Sequence, residues 1–224
     1  MEFSPTNLAG RALRRLGEAL LKRNGIQGVW IDVGAHHVEE TMGYARHNPG
    51  LQIYAVEPNL RAAARLMGRS ANYFVIPVAI AEEDGSAVFN VNQFEMASSL
   101  LPLNQEAVRS WVGVENHKVE STVIVPTIRL DTLMNMMGIA EVDFLKIDAQ
   151  GMDLSVLRST GTRLRDIQRI VVEVVVAPTP LYHGAPAKQE VVDFLERAGF
   201  ALVKAQGQTY GQEENLEFVR AQRQ

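Results

Sequence analysis

The sequence predicts an α/β fold, a seven-stranded, mostly parallel sheet with helices on both faces, and three observations carry that reading. Short apolar runs alternate with helix-period segments from residue 29 onward. Val29-Trp30-Ile31-Asp32-Val33 stops at Gly34 and hands over to a helical pattern, as a buried strand does when it turns into a crossover helix. Ile53-Tyr54-Ala55-Val56 then ends in Glu57-Pro58, one strand–helix–strand unit after Asp32. In such a unit the two strand ends lie side by side, at the sheet edge where ligands bind.

Residues 1–28 read as an N-terminal helical segment. Leu8, Leu13, Leu16 and Leu20 recur at helical spacing, with Arg11, Arg14, Arg15 and Glu18 between them. Met1 to Arg23 therefore lacks the continuous apolar stretch of a signal peptide, and an amphipathic helix packed on the sheet or over the cleft is expected. Residues 29–224 read as one domain with an insertion at about 81–126. Candidate strands are Val29–Val33, Gln52–Val56, Tyr73–Ile76, Asp143–Ile147, Ile170–Val176, Ala201–Ala205 and a returning Asn215–Arg220. Helical patterns fall at Val38–His47, Leu60–Met67, Met152–Ser159 and Gln189–Ala198, the last stopped by Gly199. Within the insertion, Glu83-Asp84-Gly85 signals a hairpin turn, Ala87 to Asn92 alternates, and Val119 to Val125 is strand-like. Such an elaboration over a cleft is where substrate selection is expected.

Composition narrows the function classes. Apolar content of 46% and charged content of 21% are those of an ordinary globular protein. The net charge of −4, with scattered lysines and arginines, lacks the basic footprint of a nucleic-acid surface. The chain has no cysteine, which removes disulfides, thiolate metal sites and cysteine nucleophiles together. No apolar run reaches transmembrane length, and a cytoplasmic enzyme, with room for a homo-oligomer, is the simplest expectation. Adjacent His36 and His37 cannot readily ligate one ion with both rings, and no nearby spacing completes a metal site.

The acid at Glu57 can accept both hydroxyls of a ribose, which implies a nucleoside cofactor. Dinucleotide binding needs a second glycine so that the backbone can approach a pyrophosphate, and a third for helix packing. Here His36 and Glu39 stand at those places, working against phosphates. S-adenosyl-L-methionine has no phosphate, and one glycine with a terminal strand acid suits it. S-adenosyl-L-homocysteine would then be the product.

The chain resembles the FkbM-type family of S-adenosylmethionine-dependent methyltransferases. The residues that carry the resemblance are Ile31-Asp32-Val33-Gly34-Ala35, Ala55-Val56-Glu57-Pro58, Val78-Ala79-Ile80 with Asp84-Gly85, Ser98-Ser99-Leu100, and Leu130-Asp131-Thr132-Leu133. Val142-Asp143-Phe144-Leu145-Lys146-Ile147-Asp148 with Gly151, and Val171-Val172-Glu173-Val174, complete it. The resemblance implies the Rossmann-like fold of class I methyltransferases and, mostly, O-methylation of hydroxyls on sugars, polyketides and similar metabolites. Two departures stand out. His36 takes the place of the family's usual asparagine, and Ala149-Gln150-Gly151 the place of its usual Val-Glu-Gly.

Each candidate residue follows from this reading. Asp32, Gly34, Ala35 and His36 should shape the loop at the cofactor's amino-acid end, Glu57 with Pro58 should take the ribose, and Ala79 and Ile80 should line the adenine. Asp148 is the expected base or sulfonium partner, and Lys146, two residues back on the same side, tunes it. His183, in the loop after the fifth strand, is the second choice for base. Glu173, an acid in an apolar strand, needs a partner, and Lys146 is a candidate. Met134, Met136 and Met137 read as core packing. The expected function is O-methylation of a small-molecule or glycan acceptor, without nucleic acid. The alternatives are a non-catalytic cofactor-binding protein of the same fold, and an NAD-type oxidoreductase, against which the missing second glycine speaks.

Overall fold

The computed structural model describes residues 25–36, 41–114 and 117–221. The helix expected within Met1–Arg23, His37 and the start of the helix expected from Val38 lie outside them. The main sheet has seven strands: β1 (Gly28–Val33), β2 (Leu51–Val56), β3 (Tyr73–Ile76), β7 (Phe144–Ile147), β8 (Arg169–Val175), β9 (Phe200–Gln208) and β10 (Glu213–Arg220). Their spatial order is β3-β2-β1-β7-β8-β10-β9. The first five are parallel, and β10 returns antiparallel between β8 and β9.

The central strands are apolar on both sides because both faces are covered. Ile31, Val33, Tyr54, Val56, Leu145, Ile147, Ile170 and Val172 point to one face. That face is closed by α4 (Leu130–Met136), α5 (Asp153–Arg158) and α6 (Lys188–Arg197), through Leu133, Met134, Leu157, Val191 and Leu195. Trp30, Ile53, Ala55, Phe144 and Val171 point to the other face, against Met42 and Ala45 of α1 (Met42–His47) and Leu66 of α2 (Leu60–Leu66). By the period of two, Asp32, Lys146 and Glu173 belong to this second face, at the strand ends.

The described residues of the insertion carry their own secondary structure. β4 (Ala79–Ile80), β5 (Gly85–Asn92) and β6 (Val119–Ile128) form a small sheet of order β4-β6-β5. A one-turn 3₁₀ helix (Glu95–Ala97) and α3 (Gln105–Ser110) fill the long connection from β5 to β6. Glu83-Asp84-Gly85 does not close a hairpin, because β6 lies between the two strands it connects. Asp84 instead accepts hydrogen bonds from the Arg129 N–H (2.6 Å) and the Thr132 hydroxyl (3.0 Å), fixing the start of α4. The methionine run also departs from expectation. Met134 is fully buried on α4, but Met136 and Met137 are 73% and 42% exposed, since only one side of so short a helix meets the core.

Phe218 is fully buried on β10, the strand that reverses the sheet's direction. Phe218→Ala should cost about 3–5 kcal/mol, read from chemical denaturation with an unchanged slope.

Candidate active site

The parallel strands end at a cleft lined by Gly34, His36, Glu57, Pro58, Val78, Ala79, Ile80, Phe89, Glu95 and Asp148, among others. Its position follows from one close contact. Gly34 has φ +77°, and a Cβ there would lie 1.8 Å from the carbonyl oxygen of Asp148. Only glycine lets the two turns touch. Gly34 and Ala35 both donate N–H bonds to the Val56 carbonyl, and the Asp148 N–H donates to the Val33 carbonyl. The ends of β1, β2 and β7 are thereby tied together.

Beneath the cleft lies a polar row. Asp32 and Lys146 are cross-strand neighbours in register, with Lys146 Nζ 3.2 Å from Asp32 Oδ1. Asp32 is 1% exposed, and its Oδ2 accepts the Thr41 hydroxyl at 2.5 Å. Lys146 Nζ also stands 3.9 Å from Asp148 Oδ2, whose side chain is 32% exposed to the cleft. Asp32 and Lys146 thus brace the floor from behind, while Gly34, His36, Glu57, Pro58, Ala79, Ile80 and Asp148 face the cavity; Ala35 is buried beside it.

Glu57 holds the loop. Its Oε2 accepts the His36 N–H (2.9 Å) and its Oε1 the Asn59 N–H (2.7 Å), which leaves lone pairs on both oxygens for a ligand. Burial pushes its carboxyl up to about 7, against the lowering effect of those two N–H bonds. His36 stands where a dinucleotide loop has its second glycine, and its φ of +43° is one that glycine favours. Its imidazole faces Glu95, which Arg65 of α2 grips at 2.7 Å.

Sequence reasoning misplaced two residues and overlooked others. His183 is exposed and lies outside the residues lining the cleft, because the backbone bond from its N–H to the Pro102 carbonyl holds this loop against the insertion. Glu173 meets Gln150 and Asp148 rather than Lys146, whose register partner on β8 is Val171, two residues short. Phe89, Glu95, Met96, Ser98 and Leu100 come to the cleft from the insertion. The alternation of β5 signalled Phe89. Nothing local marked Glu95. Gln150, with φ +51°, accepts the Tyr182 hydroxyl on its side-chain oxygen and the Ser99 hydroxyl on its carbonyl.

Residues 32–202 match the Methyltransferase FkbM domain. The chain belongs to the FkbM methyltransferase family. It is 24% identical over 178 residues to the 2-O-methyltransferase NoeI of Sinorhizobium fredii (strain NBRC 101917 / NGR234), covering 75% of this chain and 70% of that one. The fold is similar to the N-methyltransferase NodS from Bradyrhizobium japonicum WM9, with a TM-score of 0.54 and 13% identity over 99% of this chain and 100% of that one. It is also similar to Aeropyrum pernix fibrillarin in complex with natively bound S-adenosyl-L-methionine, with a TM-score of 0.51 and 14% identity over 94% and 76% of the two chains. This FkbM protein is an S-adenosylmethionine-dependent methyltransferase of the class I fold. Its cleft fits that cofactor. Glu57 keeps acceptor lone pairs for a ribose, and among the described residues the lining has acids and no lysine or arginine, which favours a cation over a pyrophosphate. Among the described residues no cluster could hold a metal ion, and no helix is long and apolar enough to cross a membrane.

Two outcomes test this geometry. Gly34→Ala should lose roughly 1–3 kcal/mol from backbone strain alone, and more from the clash with Asp148, measured by thermal denaturation. The raised carboxyls of Glu57, Asp153 and Glu213, each near 7, stabilise the folded chain only while protonated. The ligand-free protein should therefore lose stability as pH rises from about 5 to about 7.5, and Glu57→Gln should make the fall shallower.

Proposed function

We propose that this methyltransferase transfers a methyl group to a hydroxyl oxygen of a small metabolite or glycan. The observation that carries the reading is Asp148, a carboxylate open to the cleft and adjoining the glycine turn, with a buried ammonium behind it. When bound, the cofactor supplies a methyl group made electrophilic by its sulfonium.

The chain's own residues divide the remaining work. Glu57 accepts the ribose hydroxyls, and Asn59 caps α2 by accepting the Arg61 N–H, so that the acid stays at the strand end. Val78, Ala79, Ile80 and Phe89 give the adenine an apolar slot. The loop Gly34-Ala35-His36 borders the amino-acid end. Asp32 and Lys146 form a buried pair that fixes both turns, and Lys146 supports the charge on Asp148. An acceptor hydroxyl must lose its proton as its oxygen attacks, and Asp148 is the carboxylate within the cleft to receive it. His183 does not line the cleft. The acceptor rests against the insertion, where Glu95, Met96, Ser98 and Leu100 face the opening. The distant 2-O-methyltransferase relative supports oxygen as the acceptor atom.

The test is methyl incorporation from labelled S-adenosylmethionine into a panel of neutral glycans and hydroxylated metabolites, with primary amines alongside. Hydroxylated acceptors should be labelled, and Asp148→Asn should lower the rate by roughly 10²–10⁴-fold. Affinity of that variant for S-adenosylhomocysteine, read by calorimetry, should stay within about threefold. Labelling confined to amines would overturn the reading.

A further inference from the structure

Behind Asp148 lies a group of acids that the proposed reaction leaves without a task. Glu173 is half-buried and shares a hydrogen-bond partner with Asp148. The Gln150 amide nitrogen bridges the two, 2.7 Å from Asp148 Oδ1 and 3.4 Å from Glu173 Oε2. The Gln150 oxygen meets the buried Tyr182 hydroxyl at 2.8 Å, and that hydroxyl also reaches the Ala97 carbonyl at 2.9 Å. Two carboxylates drawn to one amide repel each other, and a proton on either relieves the repulsion. Turning the amide over would bring its carbonyl to Asp148 and require a protonated acid there. The arrangement therefore favours one proton on the pair.

The surroundings favour the same count. Asp153 is buried and accepts the Ala149 and Gly151 N–H groups, while Glu213 accepts the Thr209 hydroxyl at 2.5 Å. Both repel charge on Glu173, and burial together with Asp148 raises its carboxyl well above the usual range. Lys146, 3.9 Å from Asp148 Oδ2 and bound to Asp32, is the cation at this site. Across the cleft stand His36, Glu57 and Glu95.

We propose that Asp148 and Glu173, bridged by Gln150, act as one proton-holding unit: it releases its shared proton when a cationic ligand enters the cleft, and takes up the acceptor's proton during transfer. Glu173 is the positioning residue of the unit and Asp148 its cleft-facing member. The charges balance. The resting pair carries one proton and one negative charge. A sulfonium in the cleft favours the doubly ionised pair, so the proton leaves to solvent. In transfer the acceptor's O–H bond breaks, its oxygen bonds to the methyl carbon, and the carbon–sulfur electron pair stays on sulfur. The proton goes to Asp148 and is shared with Glu173. The pair changes from −2 to −1 while the bound ligand changes from +1 to neutral, so the site keeps its net charge. The proton-release half rests on the methyltransferase assignment, and only the uptake half rests on a hydroxyl acceptor.

S-adenosylmethionine and S-adenosylhomocysteine differ by one methyl group and one charge, so their comparison isolates the sulfonium. Calorimetric titrations near neutral pH, in buffers of different ionisation enthalpy, count the protons exchanged on binding each. S-adenosylmethionine should release about one proton more than S-adenosylhomocysteine. Glu173→Gln, folded by circular dichroism, should abolish the difference, and Glu173→Asp should restore it. Equal counts in the unmodified protein overturn the proposal without reference to any variant. A difference that persists in Glu173→Gln also overturns it. Failure of hydroxylated acceptors to be methylated would strike the proposed function alone, leaving the proton counts intact.

Discussion

The site depends on the contact between Gly34 and the carbonyl of Asp148. A turn that must approach another turn this closely tolerates no side chain. Because the two turns touch, the carboxyl ends of β1 and β7 are locked at one height, with β2 joined to them through the Val56 carbonyl. The position of every polar group at the edge then follows from strand register. Asp32 faces Lys146 because the pairing of β1 with β7 sets them opposite each other. Asp148 emerges one step beyond, at the opening. A buried ion pair is a weak source of stability, since desolvation offsets much of its attraction. Its value here is directional: it holds two strand ends and leaves Asp148 turned outward.

The electrostatic character of the cleft follows from the same topology. Parallel strands ending together bring Asp32, Glu57, Asp148 and Glu173 to one edge, with Lys146 among them. Low-dielectric walls of valine, isoleucine and phenylalanine concentrate the resulting field. Such an opening attracts a compact cation and repels a pyrophosphate. The preference for a sulfonium nucleoside over a dinucleotide thus has two independent physical sources, the side chain at His36 and the sign of the field.

Legibility in the sequence tracked the range of the interactions involved. Strands β1, β2 and β7 were plain because apolar runs ended by glycine or an acid have few other readings. Glu57 and Asp148, which line the cleft, stood out because each ends such a run. The small sheet was harder, since β5 and β6 are exposed on one side and separated by a long connection. Helices α3 and α4 went unseen. His183 misled because a histidine beside glycine and proline says nothing of where its loop is tethered. The Glu173–Asp148 contact depends on the β7–β8 register, which no single segment encodes. Gln150 was read as a lost acid. In the folded chain it bridges two others.

The insertion leaves the domain at Ala79–Ile80 and re-enters at Thr127–Ile128, and these dipeptides pair with one another in register. The excursion is therefore sealed at its root, like a loop drawn through a clasp. Whatever lies beyond the clasp can lengthen, shorten or change sequence without moving the strands beneath it, and each doubling of a loop costs only about 0.6 kcal/mol in closure entropy. The stretches of the excursion that meet neither His36 nor Gln150 are therefore the ones such a chain can rewrite at least cost.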